Sequence, residues 1–295
     1  MSTTNPLDTH VAAHYFTFDG TSSYTYKCLV FPADVDNAPE IDYSVEAIPG
    51  RNGDIILSNN RMSNVEHSYD CIIYENFDTN YISLRSFLLS KNGYCRLSDT
   101  IHTDEYYHAY FSRIESLRIR RDRSEGKFRL TFIRKPQRFL TSGEEPKQVN
   151  NGLLTLSNPT GFPSFPIIYV YNSTLGDGAK GSINYPYAIE YGATLPTPTN
   201  RFTILPYTGS NYYKNVINNY GLEIDLETLQ AYNALQHGSY TTTARYNFSS
   251  VVSYQYQPTY PFQLAPGTNY VRIGYASGTG YVLSEATIIP RWYRI

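Results

Sequence analysis

The sequence carries little charge for its length. Of its 295 residues, only 17% are Asp, Glu, Lys or Arg, and the formal net charge is −2, whereas about a quarter of the residues of an ordinary domain are charged. A balance this close to neutral gives no global attraction to nucleic acid or to an anionic membrane. The length fits two domains or one large β domain.

Cysteines and long apolar runs are also scarce. The three cysteines, Cys28, Cys71 and Cys95, are far apart and form no Cys-x-x-Cys pair, so we expect free thiols in a reducing compartment and no metal knuckle or redox motif. No stretch approaches the roughly 18 apolar residues of a membrane span. The first residues lack a basic region followed by an apolar run, so no signal peptide is expected.

The motifs of common enzymes are absent. The sequence has no Gly-x-Ser-x-Gly elbow, no Walker loop and no Gly-x-Gly-x-x-Gly. The glycine-rich residues 176–181 precede no predicted helix that could present amide groups to phosphate, so they are interpreted as a turn. No pair of carboxylates stands out for glycoside cleavage. We therefore predict no catalytic residues and no cofactor.

Two histidine-containing stretches raise the question of a metal site. Residues 99–108 hold Asp99, His102, Asp104, Glu105 and His108. Zincins need His-Glu-x-x-His on a helix, whereas these histidines are six residues apart, which favours a polar loop that opens a strand. His10 and His14 are four residues apart but have only Asp8 nearby, so no metal site is predicted.

Tyrosine is abundant, at 30 residues, and it favours strands and contact surfaces. The first half reads as strands around one helix. The helix is predicted to begin at Asp78, Thr79 or Asn80 as N-cap and to stop near Gly93, with Tyr81, Leu84 and Leu88 at helical spacing. Strands are predicted at residues 15–20, 26–31, 42–48, 55–57 and 67–74, and residues 49–54 are dense in turn residues.

A basic hairpin is predicted next, with strands at 114–119 and 128–133 and a turn at 122–126. Pro136 ends the second strand, and Phe139 and Leu140 are expected to pack back onto the edge of the same domain. Residues 141–152 are polar and lack an apolar period. We therefore predict a first domain at 1–140, a linker at 141–152 and a second domain at 153–295.

The second domain shows no convincing helix. Residues 224–232 fit either an amphipathic helix on Leu226, Leu229 and Tyr232 or two strands around a turn, and the strand-like neighbours favour the hairpin. Turn residues separate the predicted strands at intervals typical of a β-sandwich. These strands are 153–157, 166–171, 181–191, 202–205, 221–226, 244–248, 262–264, 269–275 and 281–289.

Arginine is concentrated in the basic hairpin, where Leu117 and Ile119 alternate with Arg118 and Arg120. This cationic face is either a solvated outer face, a subunit contact or a lining that meets phosphate. Sequence-specific nucleic-acid binding is not predicted, because stacking aromatics and a reading helix are absent. We take Arg118, Arg120 and Arg123 as candidates for such a subunit contact or phosphate-facing lining.

Several stretches together resemble the distal tail protein family of long-tailed bacteriophages that infect Gram-positive hosts. The resemblance covers nearly the whole chain and follows the family's order of motifs. The stretches are Ile48–Asp54 (a Pro-Gly-Arg-x-Gly turn), Leu84–Leu97 (the helix and next strand), Phe128–Leu140 (the close of the first domain), Leu264–Asn269 (a Pro-Gly-x-Asn turn) and Ile289–Tyr293 (a terminal Pro-Arg-Trp strand).

This resemblance implies a mainly β structural protein of the virion. Its first domain would be β-sandwich-like, with one helix and an extended hairpin, and would form a hexameric ring. Its second domain would be a galectin-like β-sandwich. The ring would join the tail tube to the tail-tip and receptor-binding proteins at the phage tail tip, and DNA would pass its lumen without base recognition. The chain would be made in the host cytoplasm.

Residues 206–220 are rich in tyrosine and asparagine and hold one charge, Lys214. A loop of this composition is either solvated or a contact surface. We name four candidates for contact with an adhesin: Tyr207, Tyr212, Tyr213 and Tyr220. A carbohydrate-binding module is the main alternative function, although the only tryptophan, Trp292, lies in the terminal strand motif. A cell-wall hydrolase is the third.

Overall fold

The computed structural model describes residues 14–32, 37–149, 153–171, 187–192, 200–204, 222–233, 245–246, 252–255, 262–275 and 285–295. The chain divides into two compact units, residues 1–139 with Ile295 and residues 140–294. The predicted fold class, mainly β with one helix, is confirmed. No helix in the described part of the chain is long and apolar enough to cross a membrane.

The described chain up to Leu140 forms ten strands and one α-helix. The strands are β1 (Phe16–Phe18), β2 (Thr21–Ser22), β3 (Cys28–Pro32), β4 (Ile41–Glu46), β5 (Ile55–Met62), β6 (Val65–Ile73), β7 (Cys95–Asp99), β8 (Glu105–Ile119), β9 (Gly126–Arg134) and β10 (Arg138–Leu140). The helix α1 is Phe77–Leu89. Seven strands form an antiparallel sheet in the order β2-β1-β7-β8-β9-β6-β3, β10 pairs with β8, and β4 and β5 form a two-stranded sheet.

The core of the first unit lies between this sheet and α1. Alternation along β9 points Phe128, Leu130 and Phe132 into the core, as the sequence pattern predicts, and Leu84 and Leu88 of α1 are buried in the same cluster. A Cβ built on Gly126 would come within 2.2 Å of the Phe77 ring. Glycine at this position therefore lets the first turn of the helix lie directly on the start of β9.

The helix begins earlier than predicted. Its N-cap is Asn76, which has a left-handed backbone (φ 46°) and makes no capping hydrogen bond through its side chain. The prediction of Asp78, Thr79 or Asn80 as N-cap is wrong, because those residues already lie in the first turn. Gly93 does follow the helix with a positive φ of 74°, as expected of a residue that ends a helical segment.

The proline-broken exit from β9 closes the first unit. The Phe139 ring stacks on Tyr106 at 5.4 Å and meets His108 edge-on, so it packs back onto β8 as predicted. Beside it, the Arg138 Nε donates to the Glu105 carboxylate at 2.8 Å, and the Glu105 side chain is only 2% exposed. A buried carboxylate requires such a partner, which explains the arginine that follows Pro136.

The second unit holds the remaining strands, and all of them except β22 form two antiparallel sheets. The strands are β11 (Lys147–Gln148), β12 (Leu153–Asn158), β13 (Ile167–Tyr171), β14 (Tyr187–Gly192), β15 (Asn200–Ile204), β16 (Leu222–Asp225), β17 (Gln230–Asn233), β18 (Arg245–Tyr246), β19 (Val252–Gln255), β20 (Gly267–Tyr275), β21 (Glu285–Ile289) and β22 (Tyr293–Arg294). The sheet orders are β11-β21-β13-β16-β17-β18 and β12-β20-β14-β15-β19. The predicted strand at 262–264 is wrong, since Leu264 forms only an isolated bridge with Ser164.

The ambiguous residues 224–232 form the hairpin that the neighbouring strands favoured. The Asp225 carboxylate accepts hydrogen bonds from the backbone N–H groups of Glu227 and Thr228, at 2.9 and 3.3 Å, and so holds the turn. The Arg291 guanidinium donates to both oxygens of the same carboxylate, at 2.9 to 3.1 Å. This pair links the hairpin to the terminal Pro-Arg-Trp segment.

The segment interpreted as a linker is folded where it is described. Thr141–Gly143 forms a 3-10 turn, and β11 pairs with β21. The backbone N–H of Leu140 donates to the carbonyl of Trp292 at 2.8 Å, and the N–H of Arg291 donates to the carbonyl of Gly143 at 2.8 Å. The three-part division into residues 1–140, 141–152 and 153–295 stays a prediction.

Gly143 provides a test of this packing. A Cβ on Gly143 would come within 2.4 Å of the backbone nitrogen of Trp292, whereas a Cβ on Gly161 would meet nothing within 4 Å. We expect Gly143→Ala to destabilise the second unit by about 1–3 kcal/mol, because backbone atoms cannot rotate away as a side chain would. Thermal unfolding of the full chain should show this loss, and the matched control Gly161→Ala should not. Equal unfolding temperatures for the two variants would contradict the packing.

Candidate functional site

Strands β4 and β5 form a hairpin, residues 41–62, that we call the apolar hairpin. Ile41, Tyr43 and Val45 alternate with polar residues, and successive strand residues point to opposite faces. Val45 is the cross-strand partner of Ile56, and Tyr43 is that of Ser58, so Tyr43, Val45 and Ile56 share one face, whereas Ile55 and Leu57 lie on the other face opposite Glu46 and Ser44. The connecting turn holds Gly50 and Gly53 at φ of 82° and 85°, a backbone conformation that glycine adopts without strain.

The apolar face of this hairpin is open to solvent. Val45 is 58% exposed and Ile56 is 65% exposed, and Ile41 and Tyr43 are about half exposed. In the described part of the chain, β4 and β5 pair only with each other. An isolated two-stranded hairpin is at best marginally stable in water, so this element gains most from a surface that covers its apolar face.

The polar face of the apolar hairpin satisfies its own groups. The Asn59 side-chain amide donates to the Asp42 carboxylate at 3.0 Å, and Arg61 lies 3.4 Å from the same carboxylate. These contacts are local and solvent-exposed, so they hold the register of the hairpin without requiring a partner. This mainly polar face also carries Leu57, which pairs with Ser44 and is 50% exposed.

In the basic hairpin, here residues 113–129 of β8 and β9, most arginines lie close to a carboxylate that compensates their charge. Arg113 pairs with Glu66 at 2.8 Å and also with Glu115, and Arg129 pairs with Asp70 at 2.8 Å. These contacts bring β6, β8 and β9 together on the face of the sheet opposite the core. Much of the predicted cationic face is therefore a set of exposed ion pairs.

The three candidate arginines have different surroundings. Arg123 donates to the Asp78 carboxylate, with Nε at 2.6 Å, and this hydrogen bond lowers the pKa of Asp78 below its usual value. Arg120 lies 3.5 Å from Asp122 and 3.8 Å from Glu125. Because Arg123 joins the turn of the basic hairpin to the first turn of α1, its evident role is structural. The sequence could not reveal that role, since Asp78 is 45 residues away.

Arg118 is the exception among the three. Its cross-strand partner is Lys127, and like charges directly opposite each other destabilise a strand pair. Both side chains are exposed, and neither has an ion-pair partner among the described residues. Of the three candidates, only Arg118 therefore presents positive charge that its own unit leaves uncompensated.

The polar stretch 99–108 runs from the last residue of β7 through a loop into β8, and its contacts are structural. The buried Asp99 carboxylate accepts hydrogen bonds from the Tyr69 hydroxyl at 2.6 Å and from the backbone N–H groups of Ile101 and His102 at 2.9 and 2.7 Å. Burial, and then the adjacent Asp99, hold the pKa of Tyr69 well above its ordinary value. Among the described residues, no group of His, Cys, Asp and Glu side chains is placed to hold a metal ion. The loop opens β8, as the favoured interpretation has it.

The remaining candidates concern the second unit. Trp292 is buried, so its ring cannot stack on a sugar, which weakens the carbohydrate-binding alternative. Tyr207, Tyr212, Tyr213 and Tyr220 lie outside the described residues, and their role as partner contacts stays a prediction.

The apolar hairpin was only half recognised from the sequence. Its strands and its turn were predicted, but its separation from the main sheet was not. An amphipathic strand has the same alternation whether its apolar face meets its own core or another molecule. No local signal could have found the separation, because β6 begins at Val65, only three residues after β5 ends at Met62.

We compared the chain with known proteins by sequence and by structure. No family model and no curated protein match the sequence. The structure is similar to that of the SPP1 Dit (gp 19.1) protein, described as a paradigm of the hub adsorption apparatus in phages that infect Gram-positive hosts. The TM-score is 0.61 at 13% identity, over 94% of this chain and 98% of that one.

A second similarity is to a chain of the phage P2 baseplate in its activated conformation, with a TM-score of 0.46 at 10% identity, over 95% of this chain and 98% of that one. The first likeness extends over nearly the full length of both chains and rests on the fold alone. The chain therefore has the fold of a distal tail protein, and the resemblance drawn from its sequence motifs is confirmed at the level of the fold.

Proposed function

We propose that this chain is a structural virion protein, a distal tail hub. In this proposal six copies form a ring that connects the tail tube to the tail-tip and receptor-binding proteins of the host-adhesion device. The genome passes through the lumen of the ring without base-specific binding. The chain is made in the host cytoplasm and acts at the phage tail tip, and it has a structural role rather than a catalytic one.

The apolar hairpin is the observation that carries this proposal. A protein with the fold of a phage hub leaves a row of apolar side chains, among them Val45 and Ile56, open to water on an element with no cover of its own in the described chain. Clustered exposed apolar side chains mark protein contacts in soluble proteins. A second copy of the chain is the partner that is always present at the same concentration.

The energetics favour a closed ring over an open pair. Burying one Val or Ile side chain fully contributes about 1.5–3 kcal/mol, whereas association costs at least about 4 kcal/mol in lost translational and rotational freedom. A few side chains of one hairpin therefore give only a modest surplus. When a ring closes, the last interface forms without joining another free molecule, so that cost is not incurred again.

The ring proposal predicts the effect of charge on the apolar face. We expect Val45→Asp combined with Ile56→Asp to abolish the oligomer, because two carboxylates would have to be desolvated in the interface. Light scattering should find the wild-type chain at about six times its 33.7 kDa mass and the variant at the mass of one chain.

The matched control is Ser44→Asp, which adds a carboxylate to the opposite face of the same strand. It should leave the oligomer intact, and circular dichroism should be unchanged in both variants. A wild-type chain that remains a monomer at high concentration would refute the ring. An oligomer that survives both substitutions on the apolar face would remove the hairpin from its interface.

The basic hairpin leads to a second prediction about the ring. We propose that Arg118, with Lys127 beside it, lies on the inner or ring-facing surface, where phosphate or a neighbouring ring supplies the negative charge that its own unit lacks. Arg120 and Arg123, although paired, belong to the same surface. An electron cryo-microscopy reconstruction of the assembled ring will show where these groups lie. Guanidinium groups on the outer rim, clear of any other subunit, would contradict this assignment.

The adhesin contact remains a proposal from the composition of residues 206–220. We expect deletion of residues 208–219 to leave the oligomer intact while weakening co-purification with the receptor-binding protein, since Tyr212 and Tyr213 would be lost. A single substitution pair, Tyr212→Ser with Tyr213→Ser, serves as the milder variant. A deletion variant that fails to fold or to assemble would place this segment in the core or in the ring interface instead.

A further inference from the structure

Helix α1 carries a second apolar surface, which we call the helix stripe: Ile82 and Leu89, with Ser86 and Arg85 on either side. Ile82 is 62% exposed and Leu89 is 60% exposed. Residues seven apart lie on the same side of a helix, and here that side is opposite the buried Leu84 and Leu88. Two large apolar side chains are therefore presented to solvent in line along the helix axis.

The surroundings of the helix stripe are suited to close contact. Apart from Arg85, the other solvent-facing residues along this part of the helix are small, at Ser83, Ser86 and Ser90, and small side chains allow another element to approach closely. Residues 82–90 contain no acidic residue. The only charge is that of Arg85, which has no ion-pair partner among the described residues. An ordinary solvated helix face carries more charge than this.

The apolar hairpin matches the helix stripe in length. Ile82 and Leu89 are seven residues apart, which is about 10.5 Å along a helix. Ile41 and Val45 are four residues apart, which is about 13–14 Å along a strand. One row of hairpin side chains can therefore cover both apolar residues of the stripe along its whole length.

The two surfaces are also complementary in charge. Residues 40–62 hold four acidic residues (Glu40, Asp42, Glu46 and Asp54) and two basic ones (Arg51 and Arg61), a net charge of −2. Glu46, next to Val45 in β4, has no ion-pair partner among the described residues. A hairpin with excess negative charge thus fits a helix face whose one charged group is an unpaired arginine.

A ring of identical copies needs two different surfaces on each copy. A head-to-tail interface joins one patch of a subunit to another patch of the next subunit, and the same contact repeats around the ring. The apolar hairpin and the helix stripe are two distinct patches of one unit, each open to solvent and each complementary to the other. We infer that the apolar hairpin of each copy docks on the helix stripe of the next copy in the ring, an inference that rests on the proposed ring assembly.

Cysteine cross-linking tests this contact directly. In a Cys95→Ser background, which leaves only the buried Cys28 and Cys71, Val45→Cys is combined with Ile82→Cys and treated with a short bis-maleimide. We expect a ladder of covalent species up to six copies, because every neighbouring pair carries one link. Each single cysteine variant should give no ladder, and neither should Ser44→Cys with Ile82→Cys, where the thiol points away from the contact.

Light scattering on the same untreated samples separates this inference from the ring proposal. An oligomer without a Val45–Ile82 ladder would overturn the docking of hairpin on helix and leave the ring standing. A chain that never associates would overturn both. A ladder that stops at two copies would show a symmetric pair and would also overturn the head-to-tail contact.

Substitution on the helix gives an independent measurement. Ile82→Asp with Leu89→Asp should weaken association by at least about 30-fold, the loss expected of residues at the centre of an interface. The matched control Ser83→Asp places the same charge about a quarter turn around the helix and should have little effect. Retention of full association by the first variant, with its circular dichroism unchanged, would exclude the helix stripe as the docking surface.

Discussion

The packing around Phe132 is the constraint on which the first unit depends. Its ring meets those of Phe16, Phe18, Tyr69 and Phe111 at centroid distances between 5.2 and 6.1 Å. A shift of β9 by one residue would turn this ring away from the core and expose it to water. The core therefore fixes the register of β9, and with it the side of the sheet on which every charged residue of the basic hairpin lies. The ion pair of Arg129 with Asp70 and the unfavourable apposition of Arg118 and Lys127 both follow from that register.

The same principle explains why the apolar hairpin can be free of the sheet. The core is complete without it, because the cluster of buried side chains draws on the main sheet and on α1 and includes no residue of β4 or β5. The hairpin thus adds nothing to the core packing of its own unit, while Val45 and Ile56 lose the benefit of burial. In the isolated subunit, the hairpin therefore exposes apolar side chains without contributing to the core.

The predictability of each element depended on how local its cause is. The strand β9 was predictable because its alternation lies in adjacent residues, whereas residues 224–232 fitted a helix as well as a hairpin, and only their strand-like neighbours favoured the hairpin. The start of α1 was missed because Asn76 begins the helix in a left-handed conformation with no capping hydrogen bond from its side chain. The ion pair of Arg123 with Asp78 and the bond of Tyr69 to Asp99 join residues far apart in sequence. No pattern of spacing foretells such pairs, because the topology of the sheet has to be known first.

The candidate site also depends on contacts between residues that are far apart in the sequence. The sequence singled out arginines by their number, but number does not distinguish a paired cation from an unpaired one. Arg113, Arg120, Arg123 and Arg129 each have a carboxylate within reach, and only the geometry reveals that Arg118 does not. The similarity to the SPP1 Dit structure, at 13% identity, likewise concerns the fold and not individual side chains. Core positions need only an apolar residue of suitable size to keep one fold, whereas surface contacts depend on individual side chains. The shared fold therefore leaves the contact residues to be found on this chain itself, and the apolar hairpin and the helix stripe are two surfaces in its described part where large apolar side chains lie open to solvent.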